Sequence, residues 1–196
     1  MKLKRRVLPR SYFNRPTLTV ARSLIGKYLV RANGKETVAG KILEVEAYVG
    51  SQDKACHASK GRTQRTEVMF GPAGIAYVYL IYGMYHCLNV VTEREEFPSA
   101  VLIRAVEIDG ELIDGPGRLC RALQIDRRLN RADLTIGESL WFEDRGEVVE
   151  RGTVGAYPRI GVDYAGKWAE KLWRFRLHTV TTPRQIRRTK KQGGTG

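Results

Sequence analysis

The stretch from Ala76 to Val91, AYVYLIYGMYHCLNVV, constrains this chain more than any other. Read as a strand of period two, it sends Tyr77, Tyr79 and Ile81 to one face and Ala76, Val78 and Leu80 to the other. Tyr82-Gly83-Met84 interrupts the pattern, and apolar residues resume at Leu88 and Val90. The expected structure is a β-hairpin whose tip carries Tyr82, Met84 and Tyr85. Turns normally hold small polar groups, so three large side chains at a tip need a partner. A nucleic-acid stack accepts such a ring, because a wedge side chain fills the gap left by an unstacked base. Aromatic strands also serve simply as core, and the rest of the chain decides between the two readings.

Charge favours a polyanionic partner. The 196 residues carry a formal net charge of +13. Much of it lies at the ends, in Lys2, Lys4, Arg5, Arg6 and Arg10 and in Arg184, Arg187, Arg188, Lys190 and Lys191. Without those ten the body is near +3. A bland alternative is that such basic ends only solubilise. The expected organisation is a basic arm over 1–10, one domain over 11–182, and a basic, disordered tail over 183–196. No apolar run approaches the roughly 20 residues of a membrane span. MKLKRRVLPR is not followed by an apolar signal core. The chain is therefore expected inside the cell: in the cytoplasm, with the nucleoid in a bacterium, or in the nucleus of a eukaryote. Cys56, Cys87 and Cys120 form an odd set without a C-x-x-C, which fits buried thiols in a reducing compartment. Cys56-His57 with His86-Cys87 is a poor metal set, since neighbours in an extended chain face opposite ways, so no metal is expected.

In chain order, Pro16 to Leu24 reads as a short helix and Lys27 to Arg31 as a strand. Asn33-Gly34 signals a tight turn into a second strand, Thr37 to Val49. In that strand Leu43, Val45, Ala47 and Val49 form an apolar face, while Glu44, Glu46 and Tyr48 share the other. Exposed glutamates on a strand commonly just solubilise. Residues 51–74 lack a period, hold His57 and read as a long functional loop. In Ala100 to Ile108, Leu102, Arg104 and Val106 alternate with Val101, Ile103 and Ala105, and an arginine there needs an anionic partner. Asp114-Gly-Pro-Gly117 leads into a helix whose amides could meet a phosphate. Leu134 to Phe142, Gly155 to Val162 and Trp173 to Thr179 are further short strand or loop segments.

Several of these stretches together resemble the alkyladenine (3-methylpurine) DNA glycosylase family. They are EVEAYVG at Glu44 to Gly50, DKACHAS around His57 and MFGPAGIAYVYLIYGMYHCLNVV at Met69 to Val91. VLIRAVE around Arg104, GPGRLCRAL at Gly115 to Leu123 and PRIGVDYAGKWAEKLWRF from Pro158 complete the set, in order over about residues 8–180. The resemblance implies an α+β fold: a single domain with a curved, mainly antiparallel β-sheet, a protruding hairpin and surrounding short helices. It also implies a monomeric, cofactor-free and metal-free enzyme that flips alkylated or deaminated purines out of double-stranded DNA and hydrolyses the N-glycosidic bond. By the same resemblance Glu46 activates water, Arg104 lies near the flipped nucleotide's phosphate and that water, and Tyr48, His57 and Tyr79 stack on the base. Asn89 matches the residue that excludes guanine, and Tyr82 with Met84 matches the intercalating tip. Thr66, where asparagine is usual, and the order Tyr85-His86 depart from the family pattern.

The chemistry suits those residue types. Loss of a purine passes through a sugar cation, which a carboxylate can stabilise while it takes a proton from water. Tyr48 lies two residues on, roughly 7 Å along the strand, on the same face. A cationic alkylated purine also stacks well on electron-rich rings. The rivals are weaker. A non-catalytic DNA-binding protein gains nothing from a carboxylate facing phosphates. A zinc deaminase needs H-x-E with P-C-x-x-C, which is absent. A lyase needs an amine nucleophile, and no lysine in the matched motifs qualifies.

Overall fold

The structure, a computed structural model, describes residues 5–34, 36–150 and 152–178. The expected tail over 183–196 and the first four residues lie outside that range. Among the described residues one antiparallel sheet collects every strand. In chain order these are β1 (Arg6–Val7), β2 (Tyr28–Asn33), β3 (Glu36–Val49), β4 (Ala76–Ile81), β5 (Tyr85–Val91), β6 (Ser99–Ile108), β7 (Glu111–Asp114), β8 (Leu140–Asp144), β9 (Val154–Tyr157) and β10 (Arg174–Leu177). The helices α1 (Arg10–Phe13), α2 (Thr17–Leu24) and α3 (Pro116–Ala122) are short. The main path runs β1-β8-β2-β3-β6-β5-β4, with β10 paired to β3 and β9, and β7 to β6. This is the mainly antiparallel α+β architecture expected from the sequence.

Period-two alternation gives the sheet two differently used faces. On one, Val45, Ala47, Ala76, Val78, Leu88, Val90, Val101 and Ile103 join Val20, Ala21 and Leu24 of α2 and Leu119 and Leu123 of α3 in the main core. On the other, the loop over 51–74 folds back through two 3₁₀ turns, His57–Lys60 and Glu67–Phe70. It packs Cys56, Ala58, Val68 and Met69 against Tyr77, Val91 and Ala100. Thr66 steadies that loop, its hydroxyl accepting from Thr63 N at 2.8 Å and donating to Gly61 O at 2.9 Å. The asparagine expected there by resemblance is thus replaced by a hydroxyl with its own partners.

Two sequence expectations shift by a residue. Asn33 pairs with Glu36, so the β2–β3 connection is residues 34–35 and not Asn33-Gly34. The pairing of β3 with β6 is irregular between Ile42 and Val45, where it passes over Leu43 and Arg104. One extra residue per strand reverses the alternation beyond it. Ile42, not Leu43, therefore shares the core with Val45 and Ala47, and Val106 joins Val101 and Ile103 there instead of following Arg104. Finally, the basic N-terminal segment is docked from Arg6 on. Arg6 and Val7 pair with β8, Leu8 is buried, and Arg10 bonds Asp133 at 2.5 Å.

Candidate active site

Register lines the site up in rows across the sheet. Tyr77 of β4 pairs with Asn89 of β5, Asn89 with Leu102 of β6, Leu102 with Glu46 of β3, and Glu46 with Arg174 of β10. Paired residues point the same way, so this row lies on the face that the loop covers. Tyr79 pairs with Cys87 in the row nearer the hairpin tip, and Tyr48 lies two residues from Glu46 on the same side. The result is a cavity of about 130 Å³ that gathers Glu46, Tyr48, His57, Tyr79, Asn89 and Arg104. The acid and the ring-bearing strand thus share one face and one cavity. Tyr77, Met69, Cys87, Leu102, Pro116 and Ile160 complete the main part of its wall.

Glu46 has no solvent exposure, yet its carboxylate is well supplied with donors. Oε1 accepts from the Ile160 backbone N–H at 2.8 Å and lies 3.4 Å from Arg104 Nη1. Oε2 accepts from the Tyr48 hydroxyl at 2.8 Å. Burial raises the Glu46 pKa, while Arg104, the Ile160 amide and Tyr48 pull it back and Glu44 pushes it further up. Burial, followed by the Glu46 charge, holds the Tyr48 hydroxyl well above its ordinary pKa, so it remains a donor.

The aromatic walls are held from behind. The Arg159 guanidinium sits 4.8 Å from the Tyr48 ring centroid. It forms a fully buried pair with Asp53, with Nη1 to Oδ2 at 2.5 Å and Nη2 to Oδ1 at 2.9 Å, and also donates to Ala47 O. The His57 ring meets Tyr79 edge-on with centroids 4.7 Å apart, and its Nδ1 lies 2.9 Å from the Tyr77 hydroxyl. Burial, then Arg65 and Lys60, push the His57 pKa down to about 4, so the ring is neutral at neutral pH. Burial also raises the Tyr77 and Tyr79 hydroxyls. A protonated Tyr77 can donate to Nδ1, leaving the proton of His57 on Nε2. Asn89 is buried and donates to Tyr77 O at 3.2 Å, which fixes its amide at the cavity wall.

The hairpin tip projects away from the sheet. Ile81 pairs with Tyr85, leaving Tyr82-Gly83-Met84 as the loop, with Tyr82 at φ 52° and Gly83 at φ 71°. An aromatic residue is uncommon in that backbone region, and such strain collects at functional positions. Tyr82 is 83% exposed and Met84 65%. Tyr85 instead leans on α3, where a Cβ on Gly117 would lie 2.9 Å from its ring. That contact explains the glycine at position 117, in the first turn of α3. The phosphate role considered for α3 gains nothing here, because the helix has only seven residues.

Sequence reasoning missed several contributors. Ile160 acts through its backbone, Tyr77 through His57, and Asp53 with Arg159 through Tyr48. The signals were present in DKACHAS and PRIGVDYAG, but nothing in the sequence pairs those distant segments. The three cysteines are buried, and among the described residues no helix is long and apolar enough to cross a membrane.

A family model described as methylpurine-DNA glycosylase matches residues 11–180. A protein of Methanocella arvoryzae is 54% identical over 185 residues, covering 86% of this chain and 91% of its own. One from Legionella pneumophila (strain Lens) is 54% identical over 173 residues, covering 87% and 93%. One from Myxococcus xanthus is 52% identical over 173 residues, covering 86% and 88%. All three carry the provisional name 3-methyladenine DNA glycosylase. The chain is thus a DNA glycosylase, a hydrolase of N-glycosyl bonds whose substrate is DNA. It belongs to the methylpurine-DNA glycosylase family.

Proposed function

We propose that the protein excises alkylated purines, 3-methyladenine among them, and deaminated purines such as hypoxanthine from duplex DNA, acting as a monomer through a water activated by Glu46. The observation that carries the reading is one buried carboxylate, set in an aromatic cavity, with an acceptor position on Oε2 still open among the described residues. Oε1 accepts from the Ile160 N–H and faces the Arg104 cation, whereas Oε2, among the described residues, accepts from Tyr48 alone, so the second lone pair of Oε2 is the place for water.

In this scheme Tyr82 enters the stack with Met84 beside it, and the lesion turns into the cavity, where Tyr48 faces it from one side and His57 with Tyr79 from the other. The water oxygen bonds to the sugar carbon as the bond to the purine breaks, and the bonding pair leaves with the base. Glu46 takes the water's proton and returns it to solvent. Arg104 keeps Glu46 oriented and lies beside the flipped nucleotide. An alkylated cationic base departs neutral and needs no acid. A neutral lesion leaves less readily, and a Nε2–H on His57 supplies a hydrogen bond for it. Asn89, fixed by its bond to Tyr77 O, excludes guanine through its exocyclic amine.

Release of abasic sites from duplexes bearing alkylated adenine, hypoxanthine or ethenoadenine tests the activity and ranks the lesions. Absence of cleavable sites in every duplex would leave only a DNA-binding role. The acid limb of single-turnover excision should fall above the ordinary carboxylate value of 4.5, because burial raises Glu46 and only its ionised form accepts a proton. A limb at or below that value contradicts the role. Tyr82→Ala should weaken specific binding by roughly 1 to 3 kcal/mol, the scale of base stacking on an aromatic ring, and slow flipping. Unchanged stopped-flow fluorescence from a reporter base next to the lesion argues against insertion.

A further inference from the structure

Glu44 is the second carboxylate on the cavity side of β3, and no role for it follows from the mechanism above. It is 1% exposed and sits among three guanidinium groups. Its Oε1 accepts from Arg104 Nε at 3.3 Å and Arg174 Nη1 at 3.0 Å, and its Oε2 from Arg176 Nη1 at 2.9 Å. Two of these arginines lead onward to Glu46. Arg104 reaches Glu46 Oε1 through its Nη1. Arg174 donates through Nε to Pro158 O at 2.7 Å, two residues before the Ile160 amide that donates to the same oxygen. Arg176 leads elsewhere, to Asp114 at 3.5 Å.

We infer that Glu44 is a positioning residue that holds the two groups meeting Glu46 Oε1, the Arg104 cation on one side and, through Arg174 and the Pro158–Ile160 turn, the Ile160 amide on the other. The inference rests on the reading of Glu46 as the base. A buried, unpaired carboxylate is costly, and a base that must also leave one lone pair open to water cannot be locked by filling every acceptor position. Fixing Oε1 from two sides leaves Oε2 to the water and Tyr48. Leu102 pairs with Glu46, and alternation along β6 puts Arg104 on the same face, beside both glutamates.

Single-turnover excision and lesion-duplex binding should be measured across pH for Arg174→Gln, Arg176→Gln and Glu44→Gln. Misplacement of a reacting group by about 1 Å can cost roughly 100-fold, so Arg174→Gln should slow excision by about 10- to 100-fold with binding little changed. Its acid limb should also move to higher pH. The charged groups around Glu46 are Glu44, Arg104, Arg174 and Arg176, with Tyr48 and Cys87 as its neutral titratable neighbours. Removing a cation and loosening an amide donor both disfavour the ionised form. Arg176→Gln, which also removes a cation from Glu44, should keep the wild-type rate and limb. Glu44→Gln should slow excision comparably, but its limb is not diagnostic, since losing a like charge lowers the Glu46 pKa while freeing Arg104 raises it. If Glu44→Gln does not fold, the Arg174 and Arg176 pair carries the test. A wild-type rate and limb in Arg174→Gln, or equal effects in both arginine variants, overturns the inference. Retained excision in Glu46→Gln instead overturns the reading beneath it.

Discussion

Glu46→Gln is expected to cut single-turnover excision by about 10²- to 10⁴-fold, the range of general-base catalysis, while binding to lesion duplex stays within about tenfold. Glutamine keeps the shape and can still accept from the Ile160 amide, but it cannot take a proton from water. Folding should not suffer. Burial raises the folded-state pKa of Glu46. The stability contributed by a group raised in this way is fully present below its unfolded pKa and is lost as pH rises through the folded one. Wild-type protein at neutral pH stands on the side where that contribution is lost, whereas glutamine mimics the protonated form at every pH. The variant should therefore melt no lower than wild type at neutral pH, and any advantage should shrink as pH falls. Arg104 keeps Glu44 as its partner in that variant. Near-normal excision by a folded Glu46→Gln protein would remove the proposed mechanism.

Arg159→Leu should lose about 3 to 5 kcal/mol of stability, the scale for leaving one member of a buried ion pair without its partner. Both side chains are fully buried, at 0% exposure each. Among the described residues, Asp53 would retain the Ala55 and Val49 amides, at 3.1 and 3.2 Å. For a chain of this length that loss corresponds to a fall in melting temperature on the order of 6–20 °C. The double variant Arg159→Leu, Asp53→Leu should recover part of the loss, since no isolated charge remains. Excision should also suffer in Arg159→Leu, because Tyr48 loses the guanidinium behind its ring and with it a fixed position for the hydroxyl that meets Glu46. A melt within about 1 kcal/mol of wild type would show the pair to be dispensable.

These two predictions draw on different kinds of information. Glu46 was legible from EVEAYVG, since alternation places it beside Tyr48. Its burial was not, because a strand carrying glutamates reads as solvated until something covers it. The cover comes from β10, from the turn before Ile160 and from the loop over 51–74, none of which alternation along β3 can reveal. Arg159 and Asp53 are separated by 106 residues, and their pairing depends entirely on tertiary contact.

By itself the sequence determined the hairpin, its aromatic tip, and the grouping of Tyr77 with Tyr79 on one strand and of Glu46 with Tyr48 on another, because side-chain direction in a strand follows from local geometry. It also determined the family, through several motifs in order. Only the tertiary structure decided where alternation breaks, at Leu43 and Arg104, because bulges arise from how two strands fit each other. The same holds for the amide and the guanidinium that meet Glu46 Oε1, since contacts between distant segments exist only once the sheet has brought them together.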